Sequence, residues 1–392
     1  MITAPLGFRA AAAAAGIKAS GLDMALLVAD HACPAAAVFT TNRAQAAPVL
    51  VSRAHLASGR ARAVVVNAGC ANAGTGERGL ADARATAAAV AEALGCEPAE
   101  VVVASTGVIG LPLPMDKVRT GVRTLAASLS PERGPDAARA IMTTDTRPKE
   151  ARVELSVGGV RATVAGMAKG AGMIAPQMAT MLAFFTTDAA VETPLLRRAL
   201  HEAVDATLNR VTVDGDTSTN DMALVMASGA ATGRPLGEGA DYAAFREALT
   251  EAARQLAMMI VRDGEGVTRV AEVRVEGAAS PYIADRVART VACSPLVKTA
   301  LHGGDPNWGR ILAAVGRAGV HVEIDRIDIF LGDVWVAERG AARTYSEDAA
   351  HREVTGDTVH IRVVLHQGTA SGSIWTSDFS KDYVAINAHY RS

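Results

Sequence analysis

Residues 163–187 read TVAGMAKGAGMIAPQMATMLAFFTT and concentrate side chains that could do chemistry. Gly166, Gly170 and Gly172 allow backbone to approach a neighbour closely, Pro176 fixes the chain, and Lys169 is a lone cation in apolar company. A buried charge without a partner is costly, so Lys169 calls for a reason. Thr180 sits between Ala179 and the apolar run Met181–Phe185, where it would begin a strand. A threonine hydroxyl is a weak nucleophile at neutral pH, but a free α-amine on the same residue, with an unperturbed pKa of about 7.7–8, can act as its base. Exposing that amine requires the chain to cut itself. Attack of the Thr180 hydroxyl on the Ala179 carbonyl would give an ester, and hydrolysis would leave residues 1–179 and 180–392 as two chains. The plainer alternative is a buried strand filled with adaptable methionines.

Other motifs offer less. Gly74, Gly76 and Gly79 spell G-x-G-x-x-G before a helix, yet seven residues, Asn67 to Ala73, separate the strand read at Ala63–Val66 from Gly74, and no acid closes the next strand to hold a ribose. No G-x-x-x-x-G-K-[ST], H-E-x-x-H or G-x-S-x-G occurs, which removes the P-loop, the zinc helix and the serine-hydrolase elbow. The acids of DGDTSTND, Asp214–Asp221, miss the calcium-loop spacing, so no metal is expected.

These residues must be held by alternating elements. Apolar runs at 35–40, 49–52, 63–66 and 100–105 read as strands and Leu80–Leu94 as a helix, with another helical pattern after Met115. Arg152–Ser156 and Val160–Val164 straddle Gly158-Gly159, a hairpin signature. Helical spacing recurs at 195–208, 242–259 and 284–299 around a polar loop at 213–220. Strands follow at 270–275, 326–337 (a pair turning at Gly332), 359–364 and 370–375. The pattern is that of an α/β protein.

Composition narrows the function. The 392 residues carry 39 Lys and Arg against 41 Asp and Glu, a formal charge of −2, and only 4% are aromatic. Neither a field for phosphate polymers nor stacking platforms for bases is present, so nucleic acid is not an expected partner. No run of about 18 apolar residues exists, and the start lacks an apolar signal core; no membrane association and a cytoplasmic location are expected. Cys33, Cys70, Cys96 and Cys293 lack any C-x-x-C pair and read as reduced thiols.

The run KGAGMIAPQMATML, Lys169–Leu182, resembles the processing site of the ornithine acetyltransferase (glutamate N-acetyltransferase) family, and further segments resemble that family in the same order. They are ASTGVIG at 104–110, MTTDT at 142–146, DGEG at 263–266, KTALHGGDPNWGRI at 298–311 and the ending INAHYRS. Ser377 stands where many relatives would have cysteine, at a strand position with no implied role. The resemblance implies self-cleavage between Ala179 and Thr180, with Thr180 as nucleophile. It also implies an oxyanion hole from Thr106 and Gly107, and substrate contacts from Thr146, Lys169, Thr180, Glu265, Asn387 and Ser392.

By the same resemblance the fold is a layered α/β sandwich of the DmpA and ornithine acetyltransferase type, self-cleaved into an α chain, 1–179, and a β chain, 180–392. Two copies of each would form a heterotetramer. The implied reaction passes an acetyl group from N2-acetylornithine through Thr180 to glutamate, without a cofactor, in arginine biosynthesis. Some members also take acetyl-CoA as donor. An N-terminal-nucleophile amidohydrolase or aminopeptidase would share the cut and differ in using water as acceptor, whereas a dinucleotide-binding module would share neither.

Overall fold

The alanine run near the start forms strand β1, Phe8–Ala13, antiparallel to the first part of the long β2, Met24–Phe39. Along β2, Met24, Leu26 and Val28 enter one core while Ala25, Leu27 and Ala29 enter another, as a period of two requires. This computed structural model describes residues 1–175 and 181–389. The described residues fall into two units, one holding residues 1–209 and 216–260, the other residues 210–215 and 261–389.

In the first unit α1 (Ala47–His55), β3 (Arg60–Cys70), α2 (Gly76–Leu94), β4 (Val101–Val108) and α3 (Met115–Ala127) follow in turn. The three helices bring Val51, Ala87, Val90, Val122 and Leu125 onto Met24, Val65 and Val103. After α4 (Gly134–Ala140), the hairpin of β5 (Lys149–Val157) and β6 (Val160–Lys169) turns at Gly158-Gly159, whose φ values of +55° and +80° suit glycine. Strand β7 (Leu182–Thr187) pairs antiparallel with β6, Lys169 opposite Leu182. Helix α5 (Thr193–Ala206) and, in the second unit, the short β8 (Val211–Thr212) come before β9 (Met222–Ala227) in the chain; β9, back in the first unit, runs parallel to β7 and antiparallel to the end of β2. The sheet order is β4-β3-β2-β9-β7-β6-β5, with β1 beside β2. Val64, Val66 and Ala104 share a core with Met167, Phe184 and Leu224. On β6, a Cβ at Gly166 would lie 2.9 Å from Leu256 of α6 (Ala240–Arg262), so glycine lets that helix settle on the strand.

The second unit is built on a sheet ordered β13-β12-β11-β14-β10-β15-β8. It contains β10 (Val270–Ala278), α7 (Pro281–Ala292), α8 (Pro295–Gly303), α9 (Trp308–Gly316), β11 (Asp328–Leu331), β12 (Val334–Glu338) and β13 (Ala341–Ala342). Helix α10 (Glu347–Thr355), β14 (Thr358–Val364), β15 (Ala370–Ser377) and α11 (Lys381–His389) complete it. Ser280 caps α7 by accepting from the Ile283 N–H, a bond worth about 1 kcal/mol. Ala284, Val287, Ala288 and Val291, at helical spacing, then pack on Val273, Val275 and Ile374.

Two elements differ from expectation. Residues 49–52 are helix: burial at 48, 49, 51 and 52 with exposure at 50, 53 and 54 is a helical face, started by Pro48. The helix expected over 284–299 breaks at Cys293-Ser294, because Pro295 has no N–H to continue it and starts α8 instead. A cut after residue 179 would fall in the β6–β7 connection. Because β6 and β7 are hydrogen-bonded neighbours, the two pieces would remain joined within one sheet.

Candidate active site

Strands β3 and β4 are parallel, and their register shifts at Gly69-Cys70, opposite Thr106–Val108. Gly107 there has φ +128°, and a Cβ on it would lie 2.3 Å from the Gly69 carbonyl carbon, so only glycine fits. Thr106 and Gly107 are both half-buried at this strand end. The Thr106 Oγ1 accepts a hydrogen bond from Lys169 Nζ at 3.2 Å. With the cation on one lone pair, the hydroxyl proton is free to point elsewhere as a donor. A threonine O–H and a glycine N–H at a bulge are suited to hold a developing oxyanion.

Lys169, at 9% exposure, is not the lone cation its sequence neighbours suggest. Its charge acts on Asp145, which is also buried. Asp145 Oδ1 accepts from Lys149 Nζ at 2.6 Å and from the Gly170 N–H at 2.7 Å, and Oδ2 from the Thr143 N–H at 3.0 Å. Burial pushes the Asp145 carboxyl up, but the charges of Lys169 and Lys149 and these hydrogen bonds outweigh it and hold the carboxyl below its ordinary range. Thr146, the neighbouring residue, is exposed. Asp145 and Lys149 escaped the sequence reading. The acid lay inside the quoted MTTDT segment, and nothing local reveals that a lysine four positions on is fully buried beside it.

In the second unit Glu265 is 7% exposed, and its Oε2 accepts from Asn387 Nδ2 at 2.7 Å. Asn387 also donates to the Tyr383 carbonyl at 3.0 Å. A close approach makes the contact possible: Gly266 has φ +65°, and a Cβ there would lie 2.5 Å from the Tyr383 nitrogen. Two residues expected separately as substrate contacts, Glu265 and Asn387, thus touch each other within one unit. Ala179, Thr180 and Ser392, the remaining expected site residues, lie outside the described residues.

The glycine fingerprint needs a different explanation. Strand β3 runs to Cys70, so the turn leaves it much sooner than the spacing from Val66 implied. What fills the turn is protein: Asn72 is fully buried, its Nδ2 donates to the Gly79 carbonyl, and Ala71 and Ala73 pack with Ala46 and Val49. Gly79 is required because a Cβ would lie 1.9 Å from Thr75 Oγ1. Among the described residues no group of three or more His, Cys, Asp or Glu could hold a metal ion, and no helix is long and apolar enough to cross a membrane.

The profile of the ArgJ family matches residues 9–392. Two similar curated proteins, both named arginine biosynthesis bifunctional protein ArgJ, come from Symbiobacterium thermophilum and Dehalococcoides mccartyi. The first is 51% identical over all of this chain and 98% of its own length. The second is 49% identical over 99% of this chain and 96% of its own. A crystal structure of the protein of that name from Bacillus halodurans aligns with a TM-score of 0.51 at 45% identity, over 53% of this chain and 98% of the solved one. Fold and matches together define the class, an acyltransferase of arginine biosynthesis. Within it, the chain belongs to the ArgJ family.

Proposed function

We propose that this chain cuts itself between Ala179 and Thr180 and then transfers acetyl groups from N2-acetylornithine to glutamate through Thr180. One observation carries the reading. Thr180 precedes Leu182 by two residues, Leu182 pairs with Lys169, and the Lys169 ammonium donates to Thr106 at the glycine-bounded end of β4. The solved Bacillus halodurans chain, matched to 53% of this one, has about the share of the chain that residues 180–392 make up, which supports a two-chain mature form.

In the cut, the Thr180 hydroxyl adds to the Ala179 carbonyl, the C–N bond breaks with the hydroxyl proton passing to nitrogen, and water opens the ester. Thr180 then has a free amine as its own base. The hydroxyl next adds to the acetyl carbonyl of N2-acetylornithine while the amine takes its proton. Thr106 O–H and Gly107 N–H hold the oxyanion, where one donor is worth roughly 3 kcal/mol. Ornithine leaves with that proton. The amine of glutamate attacks the acetyl ester and departs as N-acetylglutamate, so the kinetics are ping-pong.

Lys169, Thr146 and Ser392 are assigned to the substrates' carboxylate and polar groups, and Glu265 with Asn387 to their ammonium groups. No cofactor enters this chemistry, since the donor brings its own carbonyl. Acetyl-CoA is a second donor, an assignment supported by the word bifunctional in the relatives' names. The mature enzyme is assigned two copies of each chain, in the cytoplasm.

Thr180→Ala is expected to stay one chain in a denatured intact-mass measurement, while the wild type gives two masses summing to the precursor plus one water. Normal cleavage of Thr180→Ala would remove the threonine from the mechanism. Product analysis with and without glutamate separates transfer from hydrolysis.

A further inference from the structure

The loop DGDTSTND ends in two buried polar side chains, Asn220 and Asp221. Its second half is fastened to the turn after β2. Asn42 Nδ2 donates to the Thr217 carbonyl at 2.8 Å, Thr40 Oγ1 to the Ser218 carbonyl at 2.7 Å, and the Ala46 N–H to the Thr219 carbonyl at 2.9 Å. Asn220 and Asp221, 6% and 3% exposed, are therefore held in place.

Asn220 Nδ2 donates to the Ala71 carbonyl at 2.7 Å and to the Ser105 carbonyl at 2.9 Å. Ser105 immediately precedes Thr106, and Ala71 follows the Gly69-Cys70 irregularity against which Gly107 is pressed. One amide thus ties together the two strand ends whose register shapes the oxyanion site. Asp221 faces the other way along the chemistry. Its carboxyl accepts from the Met181 backbone N–H and the Ser218 hydroxyl, and the next residue, Met222, donates its N–H to the Met181 carbonyl at 3.1 Å. Met181 is the residue after Thr180.

We propose that Asn220 and Asp221 are positioning residues for Thr180, Asn220 by aligning the oxyanion strands and Asp221 by gripping the first amide after the nucleophile. The inference rests on the reading of Thr180 given above. One side chain then holds the oxyanion strands and its neighbour the residue that follows the nucleophile, and a misplacement of about 1 Å in catalytic geometry costs on the order of 100-fold in rate. A loop that only filled space would not leave an acid so placed. Asp221 Oδ2 has no hydrogen-bond partner among the described residues, and burial drives the carboxyl well above its ordinary range against the opposing charge of Lys169.

The test follows self-cleavage of the full chain by denatured intact mass, and acetyl transfer by steady-state kinetics, well below each variant's melting temperature. Asn220→Asp, nearly isosteric, turns its oxygens on two carbonyls. It is expected to slow cleavage and lower kcat by about 10-fold or more with KM nearly constant. Asp221→Ala is expected to do the same, while Asp221→Asn, which keeps an acceptor for the Met181 N–H, should stay within about 3-fold of wild type. If Asn220→Asp does not fold, the contrast between the two Asp221 variants decides alone. Folded Asn220→Asp and Asp221→Ala that cleave and turn over like wild type, with Thr180→Ala uncut, would overturn this inference and leave the nucleophile standing. A cleaving Thr180→Ala would overturn both.

Discussion

Lys149 in the first unit and Lys298 in the second are both buried, at 0% and 1% exposure, yet they are held in opposite ways. Lys149 has a carboxylate, Asp145, at 2.6 Å. Lys298 sits 2.9 Å from the Thr376 hydroxyl, beside the Ser377 carbonyl and over the Phe379 ring, with nearby acids acting only at longer range. Burial lowers the Lys298 ammonium to about 8, with the nearby Cys293, Asp214 and Asp378 opposing the shift. The contrast separates two uses of a buried cation. Where two buried lysines, Lys149 and Lys169, come near one spot, the fold supplies a carboxylate. Where a lysine only knits strand β15 to helix α8, neutral oxygens suffice and part of the proton affinity is lost.

Breaking the first arrangement should cost most. Asp145→Asn would leave the buried charges of Lys149 and Lys169 without their carboxylate, and a loss of about 3–5 kcal/mol is expected in urea denaturation. Because the Asp145 carboxyl is held below its ordinary range, its stabilisation is present above the unfolded value and lost as pH falls through the folded one. The wild type should therefore lose stability in strong acid more steeply than the variant.

Lys298 gives the opposite sign. Its folded value of about 8 lies below the unfolded 10.5, so between them the unfolded chain binds more protons and stability rises with pH. The rise is expected to be on the order of 3 kcal/mol across that window. In Lys298→Met, denaturation midpoints compared at pH 7.5 and 10.5 should show this component gone; an unchanged slope would assign the lysine a charged partner. The smallest effect on stability is expected at the Glu265–Asn387 contact. Glu265→Gln keeps an acceptor for Asn387, so folding should change by under about 1 kcal/mol while KM for the amino-acid substrates rises roughly 10-fold. An unaltered KM would confine Glu265 to holding α11.

Much of the fold was legible. The Gly158-Gly159 hairpin, helices α2, α5 and α6, and strands β10, β14 and β15 stand where hydrophobic period and turn residues placed them. Strand β1 was passed over because alanine carries little strand preference, and its place depends on pairing with β2. Short apolar runs such as 49–52 fit either period until flanking contacts choose. Of the site, the glycines and Lys169 drew attention through their cost to an ordinary strand, whereas Asp145, Lys149, Asn220 and Asp221 did not. Their significance lies in partners from 4 to 149 positions away.

What residue order alone established about this chain is therefore local and chemical. It marks where glycine must relieve backbone, where a threonine could become a nucleophile, and which stretches alternate or spiral. The strand register that presses Gly107 onto Gly69, the carboxylate that keeps Lys169 from standing alone, and the amide that clamps Ser105 to Ala71 belong to the tertiary structure. The physical reason is that burial arises only when distant segments meet: even Asp145 and Lys149, four positions apart, form a buried pair only because the fold around them excludes water.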